Sequence, residues 1–307
     1  MVNSAVDQIL AALSVDVREF AVCEFVAGSA IDIRALDEIE VHFVLLGTLF
    51  LGLDDGECLK VPAGGVVLVP PGVSQRMGGS PSPQHVFDPA DTCRVRPDGL
   101  MHYDATMGGS GSVLVACGQI KADIAGSFGP FDGLRASICS QLGTKPLVRF
   151  AFETMLEETH NTALGSRGLL GSLMKSCLIL ALRHYADENG SNRALPGLFD
   201  RPSLARAVAW VVENPAAVHT LEDLARTAGM SRSKFAKVFA DTMAVTPMEF
   251  VARTRLDQAR SLLVSTALPV SAIAARVGFG SRSHFSRAFR GRFGLDPSSL
   301  RKNGTAA

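Results

Sequence analysis

The sequence predicts an α+β protein of two domains: a β-rich N-terminal half with a pair of helices, then an all-α C-terminal unit. Three observations predict this. Strand-like text over residues 18–120 gives way to helical text from Pro146 onward. One short pattern occurs twice near the C-terminus, fifty positions apart. Charge also divides sharply: residues 1–200 hold 14 Lys and Arg against 23 Asp and Glu (net −9), and residues 201–307 hold 16 against 7 (net +9).

In chain order, Val41-His-Phe-Val-Leu-Leu and Val66-Val-Leu-Val are β-rich runs, broken by turn clusters at Asp54-Asp-Gly, Ala63-Gly-Gly and Pro70-Pro-Gly. Val113-Leu-Val-Ala-Cys117 follows a loop-like stretch, Gly108-Gly-Ser-Gly-Ser112. Short strands at close spacing predict a small barrel or sandwich over residues 1–145. Residues 146–190 read as two helices. The first places Leu147, Phe150, Ala151, Thr154 and Met155 on one face and ends near Asn161. The second, Leu169 to Tyr185, is apolar around much of its circumference through Leu170, Leu173, Met174, Cys177, Leu178, Ala181 and Leu182, so it wants cover on more than one side. That predicts packing on the sheet and a stripe for a partner subunit, hence a homodimer. Asp187-Glu-Asn-Gly-Ser-Asn-Arg-Ala-Leu-Pro-Gly197 is polar and carries glycine and proline, which places a linker at residues 191–201.

The C-terminal unit, 202–305, is helical throughout. Leu204 to Glu213 stops at Asn214-Pro215, Thr220 with Asp223 forms a capping-box-like start, and Pro247 opens a long helix between the two copies of the pattern. The copies match residue for residue: Gly229 with Gly278, Ser231-Arg232-Ser233 with Ser281-Arg282-Ser283, Phe235 with Phe285, Phe239 with Phe289, Pro247 with Pro297. Each is a short apolar helix, a glycine turn and a serine-opened second helix, the helix-turn-helix layout, over 221–241 and 270–292. Phe285, Phe289 and Phe293 recur every fourth residue and form the core face, which turns Ser283, Arg287 and Arg290 outward; Phe235 and Phe239 likewise turn Ser233 and Lys237 outward. Lys237 and Arg287 stand at matching places, where base reading and phosphate neutralisation need cations. Arg232, Lys234, Arg282, Ser286 and Arg290 flank them as further contacts. Basic charge and doubled motif together point to double-stranded DNA.

Hydrophobic residues make up 47% and charged residues 20% of the chain, as in globular proteins, and no run of 18 apolar residues predicts a membrane span. The N-terminus lacks a basic segment leading into an apolar one, so a cytoplasmic location is expected. All six cysteines lie in the acidic half without zinc-type pairs, and are expected to be reduced and mostly buried.

The segment Arg255-Leu-Asp-Gln-Ala-Arg-Ser-Leu-Leu263, followed by Ala272-Ile-Ala-Ala-Arg-Val-Gly-Phe-Gly-Ser-Arg-Ser-His-Phe-Ser-Arg-Ala-Phe-Arg290 and Phe293-Gly-Leu-Asp-Pro297, resembles the signature of the AraC/XylS family of bacterial transcription regulators. The resemblance covers about the last hundred residues. It implies two helix-turn-helix subdomains on a bipartite operator and recruitment of RNA polymerase, with a sensor that in this family is often a cupin barrel. Gly64-Val-Val-Leu-Val-Pro-Pro-Gly72-Val-Ser-Gln75 is similar to the second cupin motif, with Gln75 where a metal-binding histidine would stand, and Glu40-Val-His42 is all that matches the first. One histidine does not fix a metal, so no metal or other cofactor and no catalytic site is expected, and a metal-dependent cupin enzyme is the weaker alternative. The expected partner of the barrel is a small-molecule effector, with Glu40, His42, Gln75 and Arg76 as candidate lining. A related branch of the family reports oxidants through paired cysteines. That resemblance makes Cys23 and Cys93 redox candidates, provided they lie within bridging distance.

Overall fold

A computed structural model describes residues 2–97, 100–124, 129, 131, 134, 136–143, 145–158, 164–189 and 201–304. The chain forms two compact units: residues 15–122 with 134–196, and residues 1–14 and 123–133 with 197–307. Helix α1 (Val2–Ala11) therefore belongs to the second unit, where it packs on α5 (Pro202–Glu213). The strand-like text predicts residues 1–145 wholly in the sensor, whereas residues 1–14 belong to the helical unit. Residues 191–200 of the expected linker, and Asn161, lie outside the described residues.

The first unit is built from β1 (Leu13–Phe25), β2 (Ser29–Ile33), β3 (Ile39–Leu46), β4 (Thr48–Leu53), β5 (Cys58–Pro62), β6 (Gly65–Val69), β7 (Gln75–Gly78), β8 (His85–Phe87), the short helix α2 (Pro89–Thr92), β9 (Cys93–Val95), β10 (Met101–Ala105), β11 (Val113–Ile124) and β12 (Ile138–Gln141). Its strands make two sheets, in the orders β12-β6-β3-β11-β1-β10-β9 and β5-β4-β7-β2-β8. Among the described residues no ladder joins one sheet to the other, so the expected barrel is not closed; the layers are cupin-like but face each other as a sandwich. The chain crosses between sheets at Gly47, whose φ of +76° suits glycine and whose added Cβ would meet the Ser112 carbonyl at 2.2 Å.

Strand alternation fills the space between the layers. Phe25, Ile31, Val44, Leu49, Leu51, Val67, Val69, Met77, Val113 and Val115 are buried there as one cluster. β3 and β6 are buried along nearly their whole length, which accounts for their continuous apolar text. Their outer side is covered by α3 (Pro146–Glu158) and α4 (Ser166–Asn189): Phe152 stacks on Phe43 at 4.6 Å between centroids, and Ser140 donates to the Ala181 carbonyl at 2.9 Å. The buried face of α3 is Val148, Ala151, Phe152 and Met155. Leu147 and Phe150, expected inside, are exposed. Both sets have helical spacing, and the aromatic rings waiting on the sheet select the one containing Phe152. On α4, Leu170, Met174 and Leu178 are buried within the unit, so most of the stripe expected to meet a partner subunit is already used.

The second unit continues through α6 (Leu221–Thr227), α7 (Arg232–Met243), α8 (Pro247–Ser265), α9 (Val270–Arg276), α10 (Arg282–Phe293) and α11 (Pro297–Gly304). Thr220, Ser231, Thr246 and Ser281 cap the starts of α6, α7, α8 and α10, each accepting the N–H three residues on. Gly229 and Gly278 turn with φ of +65° and +86°. The two helix-turn-helix segments thus share caps and turns as well as letters.

Candidate functional site

The serine caps fix where α7 and α10 begin, and their phenylalanines fix which way they face. Phe235 and Phe239 pack against each other at 5.4 Å between centroids, and Phe285 and Phe289 at 5.6 Å. With those rings buried, Arg232, Ser233, Lys234 and Lys237 are exposed on α7, and Arg282, Ser283 and Arg287 on α10, while Ser286 is half-buried. The predicted outward set is therefore brought to one face of each helix. Arg232, Lys234, Lys237, Arg282 and Arg287 form no ion pair with any described residue, so their charge is uncompensated. Arg290 differs. Its guanidinium makes a bidentate pair with Asp296 at 2.6 and 2.7 Å, which cancels much of its field.

Two polar attachments, half-buried at Arg255 and buried at Asp257, seat the helices on α8. Arg255 donates through Nε to the Pro215 carbonyl and through Nη2 to the Ala217 carbonyl, both at 2.8 Å, and so ties α8 to the loop before α6. Arg292, on α10, pairs with Asp257 of α8 at 2.7 Å, and the Asp257 side chain is only 4% exposed. Burial raises the Asp257 pKa to about 6 against the pull of Arg292, and Asp123 adds to the rise. Gly278 belongs to the same seat, since a Cβ there would meet Ala216 at 2.9 Å and the Arg255 guanidinium at 3.1 Å. Gly229, its counterpart, faces open space, so glycine serves only conformation there.

In the first unit, inward-facing residues of β1, β2, β3, β7, β10 and β11 enclose a cavity of about 90 Å³ between the sheets. Its walls are chiefly apolar, among them Phe25, Ile31 and Met77, with Glu40 and His42 at one end. His42 Nε2 lies 3.0 Å from Gln75 Oε1, so the imidazole donates and Gln75 accepts in the amide orientation given. His42 Nδ1 and Gln75 Nε2 are buried without a partner. Burial lowers the His42 pKa to about 4, opposed by the Gln75 bond, and keeps the ring neutral. Burial raises the Glu40 pKa to about 7. Gln75 lies near enough to oppose that rise, though its Nε2 makes no well-aligned bond there. Among the described residues no cation pairs with Glu40. Arg76, the fourth lining candidate, is not part of this cavity: one residue beyond Gln75, it points to the opposite face and pairs with Asp32 at 2.6 Å.

The thiols also sort differently from the sequence expectation. Cys23 is opposite Tyr103 on β10, and Tyr103 is opposite Cys93 on β9. Two strand spacings, roughly 10 Å, thus separate Cys23 from Cys93, beyond the reach of a disulfide without backbone movement. The partner of Cys23 is Cys117, with the sulfurs 3.1 Å apart. Burial pushes the Cys117 thiol well up. Cys117 is not among the redox candidates of the sequence, although the inward alternation Val113, Val115, Cys117 is the signal that finds it. No group of three or more His, Cys, Asp and Glu among the described residues lies where it could hold a metal ion.

A doubled, outward-facing basic helix-turn-helix in one unit and a two-sheet, cupin-like domain in the other define a DNA-binding regulator. Comparisons agree. A cupin family profile matches residues 5–187, and a helix-turn-helix domain profile of the AraC type matches residues 224–303. The chain belongs to the cupin-bearing AraC family of transcriptional regulators. It is similar to the RCS-specific HTH-type transcriptional activator RclR of Escherichia coli, 25% identical over 275 residues that cover 87% of this chain and 85% of that one. It is also similar to the HTH-type transcriptional regulator AlkR of Acinetobacter baylyi, 27% identical over 280 residues, covering 89% and 90%. Among solved structures, the DNA-binding domain of AdpA in complex with a target DNA is 32% identical, covers 34% of this chain and 94% of that chain, and has a TM-score of 0.33. Unsaturated fatty acid bound ToxT of Vibrio cholerae is 13% identical, covers 94% and 95%, and has a TM-score of 0.36.

The buried carboxyl predicts a pH dependence. Glu40 titrates near 4.5 when unfolded and about 7 when folded, so the folded state holds this proton more tightly. The stability it adds is complete below pH 4.5 and is lost as pH rises through 7. Glu40→Gln removes that loss, so between pH 5 and 8 the variant should gain on the native protein by roughly 2–3 kcal/mol. His42 titrates in both proteins and cancels in the comparison. Chemical denaturation at each pH checks this, and parallel curves for the two proteins would contradict it.

Proposed function

We propose that this protein is a one-component transcription regulator whose N-terminal domain takes a small molecule between its sheets and thereby changes how the helical unit engages double-stranded DNA. The observation that carries the ligand is the apolar cavity lined at Glu40 and His42, with His42 Nδ1 buried and unpaired, an arrangement that a bound polar group would stabilise. On the DNA side, Lys237 and Arg287 read bases from equivalent positions, with Ser233, Ser283 and Ser286 beside them. Arg232, Lys234 and Arg282 contact phosphates, and Arg290 does so by sharing its guanidinium with Asp296. Support comes from the uncompensated charge of the outward cations and from the names of the relatives, which are transcriptional regulators. RNA polymerase is the further partner such a regulator addresses.

The DNA roles are tested on a duplex selected from random sequence by the full-length protein. Arg287→Ala should cost roughly 1–3 kcal/mol of binding free energy and relax preference at one base pair, because arginine contacts guanine through two hydrogen bonds. Arg282→Ala should weaken specific and scrambled DNA alike and reduce the salt slope by about one unit. Equal loss on both duplexes for Arg287→Ala would make it a phosphate contact.

We further infer that two copies pair through residues 146–190. Leu147 and Phe150 on α3 and Leu169 on α4 remain exposed and carry this reading, in place of the α4 stripe now buried. Sedimentation of the full chain at micromolar concentration should give a dimer that Phe150→Glu dissociates; a monomeric native protein removes the idea.

A second reading has its own observation, the 3.1 Å contact of Cys23 and Cys117. A two-electron oxidant could take two electrons and two protons from these thiols and leave a disulfide, making the signal oxidative rather than a bound ligand. Peptide mapping after hypochlorite or peroxide, alongside DNA titration, separates the readings. A Cys23–Cys117 bond that shifts DNA affinity supports the oxidative one, and unchanged affinity in the oxidised protein excludes it.

A further inference from the structure

The proposed effector site has a polarity that narrows the ligand. Two acids line it, and Glu40, only 6% exposed, is the buried one; among the described residues no cation pairs with it, whereas Glu19 is exposed. A buried carboxylate is costly until something positive, or a strong donor, meets it. Near it in the wall is His42, neutral, held from behind by Gln75 and with its Nδ1 unpaired. Around them the wall is Phe25, Ile31 and Met77, and the space of about 90 Å³ admits a ligand on the order of five heavy atoms. An anion would meet the Glu40 carboxyl, whereas an ammonium supplies the missing charge and leaves the His42 Nδ1 acceptor for any second polar group.

We infer that the cavity takes a small protonated amine with a short apolar tail, its ammonium held by Glu40 and its tail by Phe25, Ile31 and Met77. The inference rests on the ligand-responsive reading above and adds the ligand's chemical class. The titratable groups that face Glu40 are His42 on its own strand, Cys117 on β11, Cys23 and the exposed Glu19 on β1, and Tyr103 on β10; β2, β6 and β7 bring none. Of these, His42 is neutral above pH 6 and Tyr103, pushed up to about 12 by burial, keeps its proton. Burial likewise keeps Cys117 a thiol, so across neutral pH Glu40 supplies the charge.

The test is calorimetric titration of the full-length protein with three molecules on one branched four-carbon frame: isobutylamine, isobutanol and isobutyrate. The amine should bind tightest and isobutyrate weakest. The amine should also bind about tenfold more tightly at pH 8 than at pH 6, because Glu40, near 7 when empty, must ionise to receive it. Glu40→Gln, with its fold checked by circular dichroism, should lose at least tenfold in amine affinity and all of that pH dependence, with isobutanol little changed. Isobutyrate binding as well as the amine, no amine binding, or amine affinity that is flat with pH and indifferent to Glu40→Gln would each overturn the inference. DNA titrations in the same solutions keep the two ideas apart. An amine that binds but leaves DNA affinity unchanged sinks the effector reading alone, and a DNA response to isobutyrate instead sinks the amine alone.

Discussion

The DNA-contacting half of this protein depends on how α8 is held. A helix that joins two reading heads is useful only if neither head can swivel on it. Here the constraint is polar and partly buried. Arg255 closes on two backbone carbonyls beside the first head, and Asp257 closes on Arg292 of the second. Buried charges of this kind add little net stability compared with apolar side chains of similar shape, but removing one partner leaves the other uncompensated and costs several kcal/mol. They therefore specify geometry more than they add stability. With the seat fixed, Phe235, Phe239, Phe285 and Phe289 decide which face of α7 and α10 turns outward, and the basic side chains follow. Charge, caps and core packing all select one arrangement.

The sheet domain meets the opposite problem. Its two layers could be filled with aliphatic side chains alone, as they are around Leu49, Val67 and Val113. Instead the inward positions of β3 and β7 carry Glu40, His42 and Gln75, and burial moves both ionisable groups toward their neutral forms. Polar groups placed where they destabilise an empty fold are a recurrent mark of ligand sites, because the ligand repays the desolvation. The thiols of Cys23 and Cys117 sit in the same wall. One cavity thus holds both features from which a signal could arise.

Much of the helical half was legible in the letters. Repetition exposed the two helix-turn-helix segments, serine and threonine marked the caps, and phenylalanine spacing gave the outward face. These are local rules with a period of 3.6 residues, and tertiary packing had no reason to override them. The sensor half was harder. The run Val66-Val-Leu-Val announces a strand but not the side each valine takes, because a strand buried on both faces loses its alternation. On α3, two apolar sets both fitted a helix, and the sheet chose between them.

By itself the sequence determined that a β-rich acidic domain precedes a doubled basic helix-turn-helix, and which cations turn outward, since each depends on neighbours a few residues apart. The tertiary structure alone decided that the sheets form an open sandwich, that α1 joins the helical unit, and that Arg290 is tied to Asp296. It also decided that Cys23 meets Cys117 and that Gln75 joins His42 while Arg76 turns away. Those pairings link residues up to 94 positions apart. They are fixed by strand order and register, for which the letters of one strand carry no code until its neighbour is known.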